Sequence, residues 1–270
     1  NPAMFEKLAL PLMCAPMSFA SSVPLASACA RAGVVAGWQG GTLTRMDEFE
    51  RYLAALAEVD GAPPIVNLPS RIATEPDGPD KLALLERYRV PLVLSSLGDP
   101  SRLVERVHGW GVPAVRRIYG GLRIVAGGIA DAAGMAGALA LGGDIACMGT
   151  RFIATPESGV APGHRAMIER AGLDRIVVSS AMNGVPANWI RDSLEEAGLG
   201  DDEIRGPKIP MPEGVRAWRD IYSAGQSVAL IEQVEPVADL AARLTREFER
   251  AAPWSNWRER LAEIDRKWRA

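Results

Sequence analysis

The chain has 270 residues, 48% of them hydrophobic, with 33 acidic and 30 basic side chains and a formal net charge of −3. That length accommodates one α/β barrel or two smaller domains, and the charge offers no electrostatic attraction to nucleic acid or to an anionic membrane surface. Cys14, Cys29 and Cys147 lie in apolar or Ala-rich surroundings with no CxxC pair, which argues against a disulfide scaffold or zinc site and for a reducing compartment; no apolar run reaches the roughly 18 residues of a spanning helix, so the expected location is the cytoplasm, with no membrane partner.

In chain order, residues 8–14 read as a first strand, and Ala15-Pro16-Met17 as the turn after it. Ser21 or Ser22 caps a helix through Ala32, with Pro24 tolerated in its first turn and Gly33 ending it. Residues 34–36 form a second strand, closed by Gly37, Gly40 and Gly41, and Thr44 caps a helix over 45–58. Residues 64–68 are a third strand with Asn67 near its end; a loop spans 69–79 and 80–88 are helical. Residues 91–95 are the fourth strand, and Asp99-Pro100 opens a helix to about Trp110. Such strict alternation of short apolar strands with helices argues for a parallel sheet covered on both faces. GxGxxG, GxxxxGK[ST], GxSxG and HExxH are all absent, which removes the common dinucleotide, phosphotransferase, hydrolase and metalloprotease motifs; no metal site is expected.

The run 122–158, LRIVAGGIADAAGMAGALALGGDIACMGTRFIATPES, is the organising stretch. It reads as a strand over 123–126, the pair Gly127-Gly128, a helix from the cap Asp131 to Leu141, a strand over 144–148, and Gly149-Thr150. Glycines at the ends of two parallel strands let backbone N–H groups approach an anion, and in a (β/α)8 barrel the loops after the last two strands are the usual phosphate site. On spacing alone these glycines serve equally well as tight turns.

After Ser158 the alternation stops. A helix is expected over 163–172, a strand over 175–180, a helix from about Asn188, loop over 201–214, and two amphipathic helices, 236–248 and 258–268. In the first of these, Val237, Leu240, Ala241, Leu244 and Phe248 share one stripe. Residues 1–164 and 215–270 thus form a barrel domain, with 165–214 a helical cap over its mouth. The strand count falls short. Residues 111–112 look like the start of a fifth strand and 113–119 like the last turns of a helix, so only six strands are complete. A closed eight-stranded barrel would need two further β-α units, and the rhythm breaks near Gly111 and Pro113.

The long ordered motif GGIADAAGMAGALALGGDIACMGTRFIATPES resembles the flavin-phosphate segment of the nitronate monooxygenases (2-nitropropane dioxygenases), relatives of the flavin-dependent enoyl-acyl-carrier-protein reductases. The resemblance implies an FMN-binding (β/α)8 TIM barrel. It implies FMN contacts at Ala15, Pro16 and Met17 after the first strand, at Asn67 on the third, at Gly127, Gly128, Gly149 and Thr150 around the phosphate, and at Gln226 in the string SAGQS. Read from the residues alone, Ala15-Pro16-Met17 is an ordinary turn, Asn67 is a carboxamide able to offer donor and acceptor at a barrel mouth, and Gln226 lies in a capping turn. Trp38, Tyr222 and Met17 are pocket or core residues alike.

The implied reaction is oxidation of an alkyl nitronate, with O2 reoxidising the flavin and a carbonyl compound and nitrite released. The alternative on the same fold is an NAD(P)H-dependent flavin reductase acting on a quinone or enoyl group. The family's base is a His in a GGH context. This chain has only His108, within the expected helix before Gly109, and His164, in APGH. Neither matches, so no catalytic residue is assigned. The expected partners are a small-molecule substrate and O2, with a homodimer left open.

Overall fold

The computed structural model describes residues 4–42, 45–97, 99, 114–115, 122–253 and 255–269. Strands β1 (Leu12–Cys14), β2 (Val35–Gln39), β3 (Pro64–Pro69), β4 (Leu92–Ser96), β5 (Ala114–Val115), β6 (Ile124–Ala126) and β7 (Ile145–Met148) form one curled sheet in the order β5-β4-β3-β2-β1-β7-β6. Every pairing is parallel. β1 lies between β2 and β7, so the first strand meets the last as it does in a barrel. Among the described residues the sheet stays open, with β5 and β6 as its edges.

Helices α1 (Val23–Arg31), α2 (Met46–Ala57), α3 (Gly78–Arg87) and α4 (Ala132–Ala140) fill the crossovers, and α9 (Val237–Ala251) packs on α1 and α4. Ser22 caps α1 by accepting from the Leu25 N–H at 3.1 Å, with Pro24 in the first turn. Asp131 caps α4 by accepting from the Gly134 N–H at 2.7 Å. Val237, Leu240, Ala241, Leu244 and Phe248 of α9 are all buried, because five apolar residues at helical spacing form one stripe and the crossover helices need a cover. α10 (Trp257–Arg269) follows, and its Arg260 reaches back to Asp144 at the start of β7. The buried Asp144 carboxylate also accepts from the Arg123 backbone N–H at 2.7 Å, which ties the start of β6 to β7.

Several expectations need correction. β2 does not stop at Gly37 but runs through it to Gln39. Gly37 is needed for another reason: a Cβ there would stand 2.4 Å from the Cys14 carbonyl oxygen and 2.6 Å from the Pro16 nitrogen. Ala114 and Val115, read as part of a helix, pair with Val93 and Leu94 of β4 as a fifth strand. The described residues therefore supply seven strands rather than six, one short of an eight-stranded ring. The strand over 123–126 was expected to be buried on both faces. Instead Ile124 and Val125 are half-buried and Ala126 is exposed; among the described residues this strand has a neighbour on one side only. The Thr44 cap, the helix from Asp99-Pro100 to Trp110, and His108 lie outside the described residues.

Beyond α5 (Thr150–Ile153) and α6 (Pro162–Arg170) the chain forms a second, smaller unit. β8 (Ile176–Ser179) pairs antiparallel with β9 (Ala187–Ile190). The helix expected from Asn188 is displaced to α7 (Arg191–Glu196), because residues 187–190 are held in the ladder. The expected loop 201–214 contains a short helix α8 (Asp201–Arg205), whose Glu203 accepts from the Gly200 N–H at 3.0 Å. Trp189, Leu194, Ile204 and Ile221 are buried together in a core separate from that of the parallel sheet. The Trp189 indole donates to the Ser179 carbonyl at 3.2 Å, satisfying its polar edge inside that core.

Candidate active site

A cavity of about 360 Å³ opens where the C-terminal ends of β1, β2 and β7 meet the smaller unit. Its floor is Pro16 and Met17 after β1, Gln39 at the end of β2, and Gly149 and Thr150 after β7; its far wall is His164, Asn188 and Ser223–Gly225. Among the described residues, no ionisable side chain apart from the histidine lines it. It is therefore a neutral site, in which backbone groups, carboxamides and a hydroxyl supply the polarity.

The first turn is fixed from both sides. Ala15 donates its N–H to the Met148 carbonyl at 2.9 Å, and the Ser21 hydroxyl accepts from the Met17 N–H at 2.8 Å and donates to the Gly37 carbonyl at 3.2 Å. Met17 Sδ would lie 3.5 Å from a Cβ on Gly149, so the turns after β1 and β7 touch. β6 and β7 are paired Ala126 to Cys147, which sends the glycines that follow out of the sheet side by side. Gly127 and Gly128 hold φ of +110° and +70°, a conformation that L side chains rarely adopt, and a Cβ on either would meet nothing within 4 Å. Among the described residues the space above them is open. The Thr150 hydroxyl accepts from the Gly225 N–H at 2.8 Å, and its own proton remains available to donate.

Two carboxamide pairs flank the cavity. Asn67, buried on β3, donates through Nδ2 to Gln39 Oε1, while its Oδ1 is buried without a partner among the described residues. Asn188 donates to Gln226 Oε1 at 3.2 Å. Gln226 is exposed and is not part of the lining, whereas Asn188 is. Of the nine expected contacts, Pro16, Met17, Gly149 and Thr150 line this cavity directly. Ala15 stands beside Gly149, Asn67 is bonded to the lining residue Gln39 and Gln226 to the lining residue Asn188, and Gly127 and Gly128 lie at the neighbouring strand end. Trp38 is core, stacked on Tyr52 at 4.0 Å, whereas Tyr222 stacks on His164 with ring centroids 4.5 Å apart.

Three groups escaped sequence reasoning. Gln39 becomes visible once β2 is allowed to continue through Gly37, because its register partner is then Asn67. Asn188 was assigned to a helix. The role of His164 depends on a contact with residue 223, which local sequence does not reveal. Its Nε2 is 2.9 Å from the Ser223 carbonyl oxygen. A carbonyl only accepts, so Nε2 carries the proton and Nδ1 is the bare nitrogen. Nδ1 is buried with no partner among the described residues. Burial lowers the imidazole pKa to about 4, partly opposed by the Ser223 bond, so the ring is neutral at pH 7. Burial also pushes the Cys147 thiol up to about 12 and the Cys14 thiol well above its usual value. Neither is a thiolate nucleophile. Behind the loop after β7, the buried Arg151 guanidinium donates to the Gln233 carbonyl at 2.5 Å and lies 3.7 Å from Glu235, which fixes this loop to the segment leading into α9.

The family model described as nitronate monooxygenase matches residues 123–247. A nitronate monooxygenase of Paraburkholderia phytofirmans is 31% identical over 142 residues, 47% of this chain and 38% of that protein. A 5-hydroxy-7a-methyl-1-oxo-octahydroindene-4-carboxyl-CoA dehydrogenase of Mycobacterium tuberculosis is 34% identical over 114 residues, 42% of this chain and 29% of that protein. The chain thus aligns with only about a third of the length of these curated relatives. Among solved structures, nitroalkane oxidase of Streptomyces ansochromogenes superposes with a TM-score of 0.75 at 21% identity, covering 93% of this chain and 99% of that one. FabK of Thermotoga maritima gives 0.72 at 22%, covering 92% and 96%. These two likenesses establish the shared fold. Over residues 123–247, just under half of its length, the chain is thus similar to the nitronate monooxygenases.

Proposed function

We propose that this chain is a flavin-dependent oxidoreductase of the nitronate monooxygenase kind, with FMN at the C-terminal ends of the strands and O2 as the electron acceptor. The observation that carries the reading is the joint placement of two glycine turns, Gly127-Gly128 and Gly149-Thr150, at the ends of paired strands inside the family-matched region and beside a neutral cavity. The residues fit the group. Open space over Gly127 and Gly128 admits a phosphate to backbone N–H groups, the Thr150 hydroxyl retains a proton to donate, and the orphaned Asn67 Oδ1 is an acceptor suited to a ring N–H. Residues 165–214 act as the cap that closes the cavity over substrate.

The flavin supplies the redox chemistry; the chain binds it, orients it and excludes water. A nitronate is already deprotonated at carbon and needs no base, whereas a neutral nitroalkane does. His164 offers no accessible base nitrogen, since Nε2 is engaged and Nδ1 is buried. Aerobic nitrite release is therefore expected with an alkyl nitronate and at least tenfold slower with the parent nitroalkane. Equal turnover of both would contradict the proposal. One other reading suits the same neutral cavity, a reductase drawing electrons from a nicotinamide to reduce a quinone or enoyl group. Anaerobic bleaching of bound flavin by NADH or NADPH would select it.

A further inference from the structure

We infer that His164 is a positioning residue: its Nε2–H holds the Ser223 carbonyl and thereby sets Ser223–Ala224–Gly225 as the wall of the cofactor cavity. The inference rests on the flavin reading for the identity of the ligand, but not for the tether itself.

The geometry has three parts. The imidazole is buried on α6, only 2% exposed, and stacks on Tyr222 with the ring planes 5° apart. Its Nε2–H reaches the carbonyl of the next residue, Ser223, at 2.9 Å. Two residues on, the Gly225 N–H reaches the Thr150 hydroxyl at 2.8 Å. Tyr222 is also held through its backbone, its carbonyl accepting from the Ile190 N–H at 2.8 Å and its N–H donating to the Ser193 hydroxyl at 2.9 Å, and Gly225 is held by the residue after β7, so the imidazole secures the carbonyl of Ser223 between two fixed points. His164, Ser223, Ala224, Gly225 and Thr150 all line the same cavity. A backbone segment with no regular structure of its own keeps one conformation only where such bonds hold it. Without the imidazole donor, a partly buried carbonyl loses its partner and the wall is free to shift. The stack alone would not prevent this, because it orients Tyr222 and leaves residue 223 unbonded.

The test compares His164→Phe, which keeps the flat stack and removes the donor, with His164→Gln, whose Nε2 amide reaches a similar position. In FMN-free protein, amide hydrogen exchange of residues 222–226 should be about tenfold faster in H164F than in wild type and near wild type in H164Q, for one lost hydrogen bond. In an FMN titration the dissociation constant should rise about tenfold in H164F and recover in H164Q. Unchanged exchange in H164F overturns the tether. Faster exchange with unchanged FMN affinity overturns the positioning role. Wild type that binds no FMN overturns the flavin reading instead, and the tether then stands or falls on the exchange result. If H164F does not fold, 15N NMR of the wild type decides, since only two histidines are present. His164 must show a protonated Nε2 and a bare Nδ1, and the opposite tautomer contradicts the inference.

Discussion

His164 and Gly37 illustrate how single residues bind this fold to its cavity, and each leads to a measurable consequence. Burial holds the folded-state pKa of His164 at about 4, against an ordinary value of 6.5. Between those values the unfolded chain binds a proton that the folded chain does not, so stability falls as pH drops from about 6.5 towards 4 and is unaffected by this group above that window. Denaturant unfolding should therefore show a pH slope across that window that is shallower in His164→Gln, by up to about 3 kcal/mol in total. Identical slopes would place the ring in water. Gly37 faces a clash with the Cys14 carbonyl oxygen, so Gly37→Ala should cost about 2 kcal/mol or more. Gly137 lies in α4 with nothing within 4 Å of an added Cβ, so Gly137→Ala should add about 0.5–1 kcal/mol. Thermal melts check both signs. From sequence, Gly37 was visible as a glycine but not as a contact, because the backbone of 14–16 that crowds it belongs to another strand. Asn67 was visible, because a polar side chain at the end of an apolar strand has few reasons to be there. Its link to Gln39 was hidden by ending β2 too early.

At the scale of elements, local rules succeeded where local forces decide. The caps at Ser22 and Asp131 and the apolar stripe of α9 follow from the residues themselves and appear as read. They failed where a partner distant in sequence decides. Residues 187–190 are extended because β8 pairs with them, and 114–115 because β4 does. The half-exposed β6 is the sharpest case: its sequence suits a strand covered on both faces, but among the described residues it has β7 on one side only. Hydrogen exchange should accordingly be faster for the amides of 124–126 than for those of 145–148, which lie between β1 and β6. Equal protection would mean that another segment covers that edge.

For the whole molecule, the β-α rhythm and the glycine turns made the parallel architecture and the resemblance to nitronate monooxygenases legible, because the motif over 122–158 is long and contiguous. The strand count was not legible, since β5 is two residues long and carries no periodicity to read. The central claim is that two strand-end glycine turns and the cavity beside them form a flavin site. Its most direct test is a titration of the protein with FMN, followed by flavin fluorescence, in wild type and Gly149→Val. A Cβ at Gly149 would already stand 3.5 Å from Met17 Sδ, so the two further methyl groups of valine crowd the contact between the first and last turns. Saturable binding at one FMN per chain, weakened at least tenfold by Gly149→Val in a protein that still melts cooperatively, is the predicted result. No saturable binding by wild type, or binding that is indifferent to the substitution, would contradict the account.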